Sequence, residues 1–287
     1  MSFVILDLEW NTTYHKETDK YINEIVEFGA VKLDKRLNIT DKFCCLVKPT
    51  FAKKINSHVK KLINLDFSEI SGAELTFPEV LSDFEVFLGD DILLTWSNTD
   101  LHTLLDNCGL HYMDDNLPFV KKFCDLQKYC EYALGVSSQK QMLGLSACAQ
   151  ILGFVEGENQ SHRAMDDAML SLKCLKALYS ASLFNEFVEE CNEEFYKKLR
   201  FKNKYITNIN NPNLDREQLY FDCPDCAIRC IRKSKWSKAN NSLQAFFVCP
   251  ECKQNFKGKV QAKIKYEGVV ISKRIVSSGG SVTNDNK

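Results

Sequence analysis

Four acids and a histidine lie within the first 170 of 287 residues at positions that packing alone does not explain. Asp7 and Glu9 close the apolar run Phe3-Val4-Ile5-Leu6-Asp7-Leu8-Glu9, two residues apart, so on a strand both side chains point to one face. Two carboxylates on a face that otherwise belongs to the core repel each other, and a divalent cation between them relieves the repulsion. A strand that ends at water would tolerate them equally. Asp100 follows the apolar stretch Ile92-Leu93-Leu94-Thr95-Trp96, at or just inside a helix start, where the helix dipole also favours an acid. Asp167 comes five residues after His162 in His162-Arg163-Ala164-Met165-Asp166-Asp167-Ala168. At about 100° per residue, Asp167 falls on the stripe of Leu170, Cys174 and Leu178, and Asp166 falls near Lys173. Asp167 is therefore expected to face inward and Asp166 to face solvent. Acids in this number, with an imidazole beside the last, suit two-metal phosphoryl-transfer chemistry.

A second constellation is made of cysteines. Cys223-Pro-Asp-Cys226 and Cys249-Pro-Glu-Cys252 form two C-x2-C knuckles with 22 residues between them. This spacing predicts a closed, tetrahedral, structural Zn²⁺ site, resembling a zinc ribbon. Cys230 is nearby but breaks the spacing, and the other eight cysteines are expected to be small buried apolar residues. Between and after the knuckles, Arg232, Lys233, Lys235, Trp236 and Lys238, then Phe246, Phe247, Phe256 and further lysines, interleave cations with aromatic rings. That mixture suits a nucleic-acid groove with stacking platforms. A ribbon whose rings merely fill a thin core, or one that binds protein, is the alternative.

Charge separates the same two regions. Residues 201–287 carry 16 Lys/Arg against 7 Asp/Glu, a balance of +9, whereas residues 1–200 carry 21 against 31, a balance of −10. An acidic body with a basic C-terminal piece hints at a polyanion partner held by the basic piece. No apolar run approaches the roughly 20 residues of a membrane span. With Asp7 and Glu9 in the opening strand, no signal peptide is expected. Thirteen cysteines then point to reduced thiols, a metal site and a cytoplasmic location.

The elements that must position these residues follow from periodicity. Residues 2–8, 24–33 and 42–47 read as strands of an antiparallel meander. Residues 77–88 are helical, with Pro78 suited to the first turn. Residues 92–96 form a short buried strand, and Ser97, Asn98 and Thr99 offer caps for a helix through Leu101, Leu104, Leu105 and Cys108. A strand at 123–126 and helices at 143–152, 164–179 and 184–199 complete the pattern. Strands first, then alternating helices and strands, give an α/β fold with a mixed sheet and helices on its faces. The expected organisation is a first domain at 1–182, a helix and linker at 183–218, the zinc ribbon at 219–268 and a flexible tail at 269–287.

With these residues in view, the chain resembles the DEDDh 3′–5′ exonucleases over residues 1–180. The first motif corresponds to Leu6-Asp7-Leu8-Glu9, continued by Glu24-Ile25-Val26-Glu27-Phe28-Gly29-Ala30-Val31. The second is Leu94-Thr95-Trp96-Ser97-Asn98-Thr99-Asp100, and the third surrounds His162 and Asp167. The Thr-Trp-Ser-x-x-Asp form is similar to the branch of sporulation-inhibitor-type and histone-mRNA 3′-end exonucleases. Many members carry threonine where this chain has Trp10, and that branch often has Gly-Asp where it has Ser97-Asn98. The resemblance implies a ribonuclease-H-like fold, with Asp7, Glu9, Asp100 and Asp167 as ligands of two Mg²⁺ or Mn²⁺ ions and His162 as general base. It implies release of nucleoside 5′-monophosphates from single-stranded 3′ ends, RNA favoured over DNA, with Trp10 or Trp96 as candidates for stacking on the terminal base. A regulatory nucleic-acid-binding scaffold and an oligonucleotide-scavenging exonuclease remain as alternatives.

Overall fold

The computed structural model describes all residues except 1, 58, 61–65, 112–115, 137–141, 155–162, 278–281 and 284–287. The chain divides into two compact units, residues 1–199 and 200–287.

The first unit is built on a six-stranded sheet in the order β3-β2-β1-β4-β5-β6. β1 (Phe3–His15), β2 (Lys20–Leu33) and β3 (Ile39–Leu46) form the antiparallel meander, β4 (Ile92–Thr95) lies parallel to β1, and β5 (Lys122–Asp125) lies parallel to β4. The strands alternate, so β1 feeds two cores. Val4, Leu6 and Leu8 pack under the helices Phe77–Leu88 and Thr99–Leu110, and Phe3 and Ile5 pack under Leu126–Ala133, Leu145–Ile151 and the long helix Ala164–Leu178. The helix Phe77–Leu88 shows the local logic. Thr76 and Glu79 cap its start, with the Glu79 carboxylate accepting from the Thr76 N–H at 2.8 Å. Pro78 sits in its first turn, Gly89 closes it at φ +58°, and Phe77, Val80, Leu81, Phe84 and Leu88 are buried on one face.

Several boundaries differ from those the sequence suggests. β1 runs on to His15 because the β-rich residues Trp10 to Tyr14 have partners across to Lys20 in β2. Residues 184–199 are not one helix. The helix Ala181–Glu186 gives way to β6 (Val188–Glu190), which pairs antiparallel with β5, and Asn192 then caps the helix Glu193–Arg200 by accepting from the Phe195 N–H at 2.9 Å. Phe195, Tyr196 and Leu199 of that helix bury in the first core, which carries the first unit past 182 to residue 199.

The second unit is a seven-stranded antiparallel sheet. Part of the expected linker belongs to it, since β7 (Lys204–Ile206) pairs with β11 (Asn255–Lys265). β10 (Ser242–Val248) borders β11 on one side, and β8 (Ile231–Arg232) and β9 (Ser237–Ala239) border β10. The expected tail is structured as far as Ser277. β12 (Gly268–Ser277) folds back along β11, because Gly268 (φ +134°) turns the chain and Val269, Val270, Ile271, Ile275 and Val276 are β-branched. β13 (Val282–Thr283) pairs with β12. The core holds Phe221, Phe247 and Phe256, and Gly258 leaves room for them, since a Cβ there would lie 2.7 Å from Phe221 and 2.8 Å from Phe247. Among the described residues, no helix is long and apolar enough to cross a membrane.

Candidate active site

Asp7 and Glu9 continue the β1 face that, further back, carries Phe3 and Ile5 onto the long helix Ala164–Leu178. Their cross-strand partners in β2 are Gly29 and Glu27. Side chains opposite one another share a face, so a side chain at Gly29 would project at the helix. An added Cβ would lie 2.2 Å from the Ala164 carbonyl carbon and the Met165 nitrogen. Glycine is what lets the start of this helix rest on the sheet. One turn in, Asp167 is half-buried and Asp166 is exposed. Ligand atoms of Asp7, Glu9 and Asp167 all lie within 4.8 Å of one another.

Asp100 arrives from the other side of β1. β4 pairs with β1 only from Phe3 to Ile5. Further along, the Leu8 N–H donates instead to the Asp100 carboxylate at 3.1 Å, so the first turn of the helix Thr99–Leu110 takes over where the strand has stopped. The turn that brings it there holds Ser97 at φ +78°, a conformation natural to glycine, with Thr95 Oγ1 donating to the Ser97 carbonyl. Burial, opposed by the Leu8 and Asp100 N–H groups and assisted by the charge of Asp167, raises Asp100 to about 7. Burial, followed by the charges of Asp167, Glu27 and Asp100, pushes Glu9 up to about 8, with Arg163 opposing. Burial, reinforced by Asp100, Asp167, Glu9 and Glu27, holds the Asp7 carboxyl well above the usual range. Such a cluster takes up protons or cations at neutral pH. Its donors are all carboxylate oxygens, the set that hard divalent ions prefer.

Two further pairs, Glu27 with Arg163 and Glu24 with Asn11, shape the site, although the sequence alone assigned them no role. Glu27 is 1% exposed and is held by Arg163, whose Nε and terminal nitrogen reach its carboxylate at 2.8–3.1 Å. The fork–fork geometry neutralises a fifth acid beside the four and ties the residue before the long helix to β2. An acid inside the run Ile25-Val26-Glu27-Phe28 was the available hint. Beyond Glu9, a register shift in the β1–β2 pairing brings Asn11 opposite Glu24. Glu24 accepts the N–H groups of Thr50, Phe51 and Ala52 at 2.5–2.8 Å, and Asn11 bonds the Lys54 carbonyl and the Asn56 N–H. Together they pin the segment after β3. A cavity of about 670 Å³ follows, lined by Tyr14, His15, Phe51, Lys53 and Lys54 among others.

Both candidate stacking tryptophans of the first unit contribute to its cores. Trp10 packs against the cluster under Phe77–Leu88, and Trp96 packs on the opposite one with its indole N–H donating to the Leu143 carbonyl at 3.3 Å. His162 lies outside the described residues.

In the second unit, ligand atoms of Cys223, Cys226, Cys249 and Cys252 lie within 4.8 Å of one another, and Cys223 Sγ is 3.6 Å from Cys252 Sγ. Four thiolates about 2.3 Å from a tetrahedral ion sit about 3.8 Å apart, so the cluster fits one. The knuckles are alike. Ala227 and Lys253, each following the second cysteine, adopt φ +54° and +62° and donate back to the carbonyls of Cys223 and Cys249. Burial pushes the Cys249 thiol up, but N–H groups of Cys252 and Glu251 and the Cys252 and Cys223 thiols outweigh it and bring it down to about 7. Cys230 is buried beside Cys249 but is not one of the four grouped ligands. Of the other eight, Cys108, Cys124, Cys130, Cys148 and Cys174 are buried, while Cys44 on β3 is exposed and Cys45 and Cys191 are half-buried. Arg232 and Trp236 line a cavity of about 630 Å³ with Arg216, Arg229 and Tyr220, whereas Lys233, Lys235 and Lys238 are simply exposed.

Residues 4–175 match the family model described as Exonuclease. Among solved structures, a full-length 3′-exonuclease is similar at 24% identity and a TM-score of 0.51, over 61% of this chain and 59% of that one. The nuclease domain of 3′hExo, a DEDDh family member bound to rAMP, gives 24% identity and 0.52 over 61% and 90%. Exonuclease I gives 14% identity and 0.52 over 92% of this chain and 55% of its own. The chain thus spans little more than half the length of the first and last of these. No curated protein matches it.

Proposed function

The chain belongs to the exonuclease family, and from that premise we propose that it is a metal-dependent 3′–5′ exonuclease of single-stranded nucleic acid, with RNA preferred over DNA. The observation that carries the proposal is the convergence of Asp7, Glu9 and Asp167 within 4.8 Å, from segments 158 residues apart, with Asp100 bonded to the strand between them. Two Mg²⁺ or Mn²⁺ ions, held by Asp7, Glu9, Asp100 and Asp167, supply Lewis-acid stabilisation of phosphate charge and a more acidic water when bound. The protein does the rest. Asp7 and Glu9 are fixed by a strand buried in the sheet, and Asp167 by the helix that Gly29 admits. In this reading His162 takes the proton of the attacking water, as an imidazole titrating near neutrality can. Arg163 keeps Glu27 neutralised, so the excess negative charge is confined to the four acids. The recess beyond Asn11, with Phe51, Lys53 and Lys54, offers ring and cation to the terminal nucleotide.

The cysteine cluster holds a structural Zn²⁺ in this reading, since a closed thiolate tetrahedron leaves no position for substrate. We assign the protein to the cytoplasm, where buried thiols and a thiolate site stay reduced.

Matched 5′-labelled RNA and DNA strands, incubated with Mg²⁺ or Mn²⁺ and with or without chelator, test the activity. The expected result is a ladder shortening from the 3′ end, release of nucleoside 5′-monophosphates, faster loss of RNA, and no reaction in Asp7→Asn. Binding without shortening under every metal condition would instead make the chain a scaffold and end the exonuclease reading.

A further inference from the structure

The second unit has an open sheet face whose composition packing does not explain. Along β11 the residues Phe256, Gly258, Val260 and Ala262 are buried. Alternation then turns Lys257, Lys259, Gln261, Lys263 and Lys265 to the opposite face. Their partners in register share that face. Lys257 stands between Phe246 of β10 and Val276 of β12, Lys259 between Gln244 and Arg274, and Lys263 between Tyr205 of β7 and Val270. None of these partners is acidic. Lys259 and Arg274 are like charges placed directly opposite, an arrangement that costs a sheet stability. Phe246 and Tyr205 are 51% and 39% exposed, and the ammonium groups of Lys257 and Lys263 lie over their rings at 5.1 and 5.4 Å.

Cations at alternate positions of one strand recur about every 6.8 Å, with flat exposed rings beside two of them. A polyanion turns the self-repulsion into attraction, and rings serve one whose charges alternate with planar bases. We propose that this face is a docking track for single-stranded nucleic acid, with phosphates on Lys257, Lys259, Lys263, Lys265 and Arg274 and bases on Phe246 and Tyr205. The choice of nucleic acid rests on the exonuclease reading above. The register also separates rings that the sequence mixes: Phe247 and Phe256 are core, and Phe247 faces the cavity on the other side of the sheet with Arg216.

Fluorescence anisotropy of the full chain with a 5′-fluorescein 20-nucleotide RNA, protected by 3′ phosphorothioates and without divalent ions, reads binding independently of cleavage. Lys259→Ala/Arg274→Ala should weaken binding at least tenfold and lower the slope of log affinity against log salt by about 1.4, two single-strand phosphate contacts. Its melting temperature should hold or rise, since a repulsive pair is removed. Phe246→Ala/Tyr205→Ala should weaken binding about tenfold or more with the salt slope unchanged. Arg216→Ala, which removes a single charge on the cavity side, should bind as the parent does. An unchanged slope in the double charge variant, or an equal loss in Arg216→Ala, overturns the track. Competition by a polyglutamate peptide as strong as that by RNA overturns the nucleic-acid assignment in favour of an acidic protein. A chain that binds through this face but releases no mononucleotide sinks only the exonuclease reading, and an active enzyme whose face variants bind normally sinks only the track.

Discussion

Replacing Gly29 by alanine tests how the fold brings Asp167 to the site. The new Cβ would sit 2.2 Å from the Ala164 carbonyl carbon and the Met165 nitrogen, and 2.6 Å from the Ala164 oxygen. Ordinary contact begins at 3.4 Å, so the start of the long helix must withdraw by about 1.2 Å. The obstructing atoms are backbone, so no rotamer change absorbs the clash. Asp167 is three residues further on and moves with that turn, while Asp7 stays in β1. A displacement of about 1 Å in a reacting geometry costs on the order of 100-fold in rate, and forcing atoms into a packed contact costs about 1–3 kcal/mol of stability. Gly29→Ala should therefore fold, melt at a lower temperature, and release mononucleotides from a 5′-labelled RNA about 100-fold more slowly. Gly109→Ala is the control, because nothing lies within 4 Å of a Cβ there. Parental rate and parental divalent-ion affinity in Gly29→Ala would refute the idea that this contact sets the position of Asp167.

Other expectations follow from the same geometry. Glu9 and Asp100 sit at about 8 and about 7 in the metal-free fold, against ordinary values of 4.5 and 3.8, so between these limits the folded chain holds more protons than the unfolded one. Their contribution favours the fold below about pH 4 and is lost as pH rises through 7 to 8. Metal-free melting temperature should fall across that window relative to Glu9→Gln, and Mn²⁺ should raise it more at pH 8 than at pH 5; a metal effect equal at both pH values contradicts this. Arg163→Met strands a carboxylate that is 1% exposed and should cost about 3 kcal/mol, the low end for a broken buried pair because Arg163 is partly solvated; adding Glu27→Gln should recover part of it, and strictly additive losses in denaturant melts would show no coupling. Cys249→Ser, or zinc removal, should unfold the second unit while the first keeps its own thermal transition, as separate calorimetric peaks would reveal; one unaltered pair of peaks counts against a structural zinc.

Local rules carried the sequence a certain distance. Alternation sets Asp7 and Glu9 on one face because that requires only one strand, and a 100° step separates Asp167 from Asp166 because that requires only one helix. The knuckle spacing is local too, which is why the four cysteines could be grouped before any contact was known. What stayed hidden depends on partners far along the chain. Gly29 reads as an ordinary strand glycine until Ala164 arrives. Glu27 finds Arg163 136 residues away, and Asp100 is held by a Leu8 N–H that is free only because β4 stops short. Residues 184–199 have helical periodicity, but pairing of Val188–Glu190 with β5 interrupts it, and Asn192 was the cap that marked the second start. From 269 onward the polar end of the chain masked the β-branched run of β12, whose partner, β11, was itself obscured by lysines at every second position. Those lysines are the same alternation that puts a charged face on the second unit.

Divalent-ion binding by the four acids is the property on which the proposed chemistry most directly depends. Electron paramagnetic resonance of free Mn²⁺, titrated into the chain at pH 8, should show tight uptake that disappears in Asp7→Asn and in Asp167→Asn and persists in Lys259→Ala/Arg274→Ala. Uptake by Asp167→Asn indistinguishable from that of the parent would mean that the carboxylates on β1 and on the long helix do not hold ions together, and the proposed chemistry would have no site.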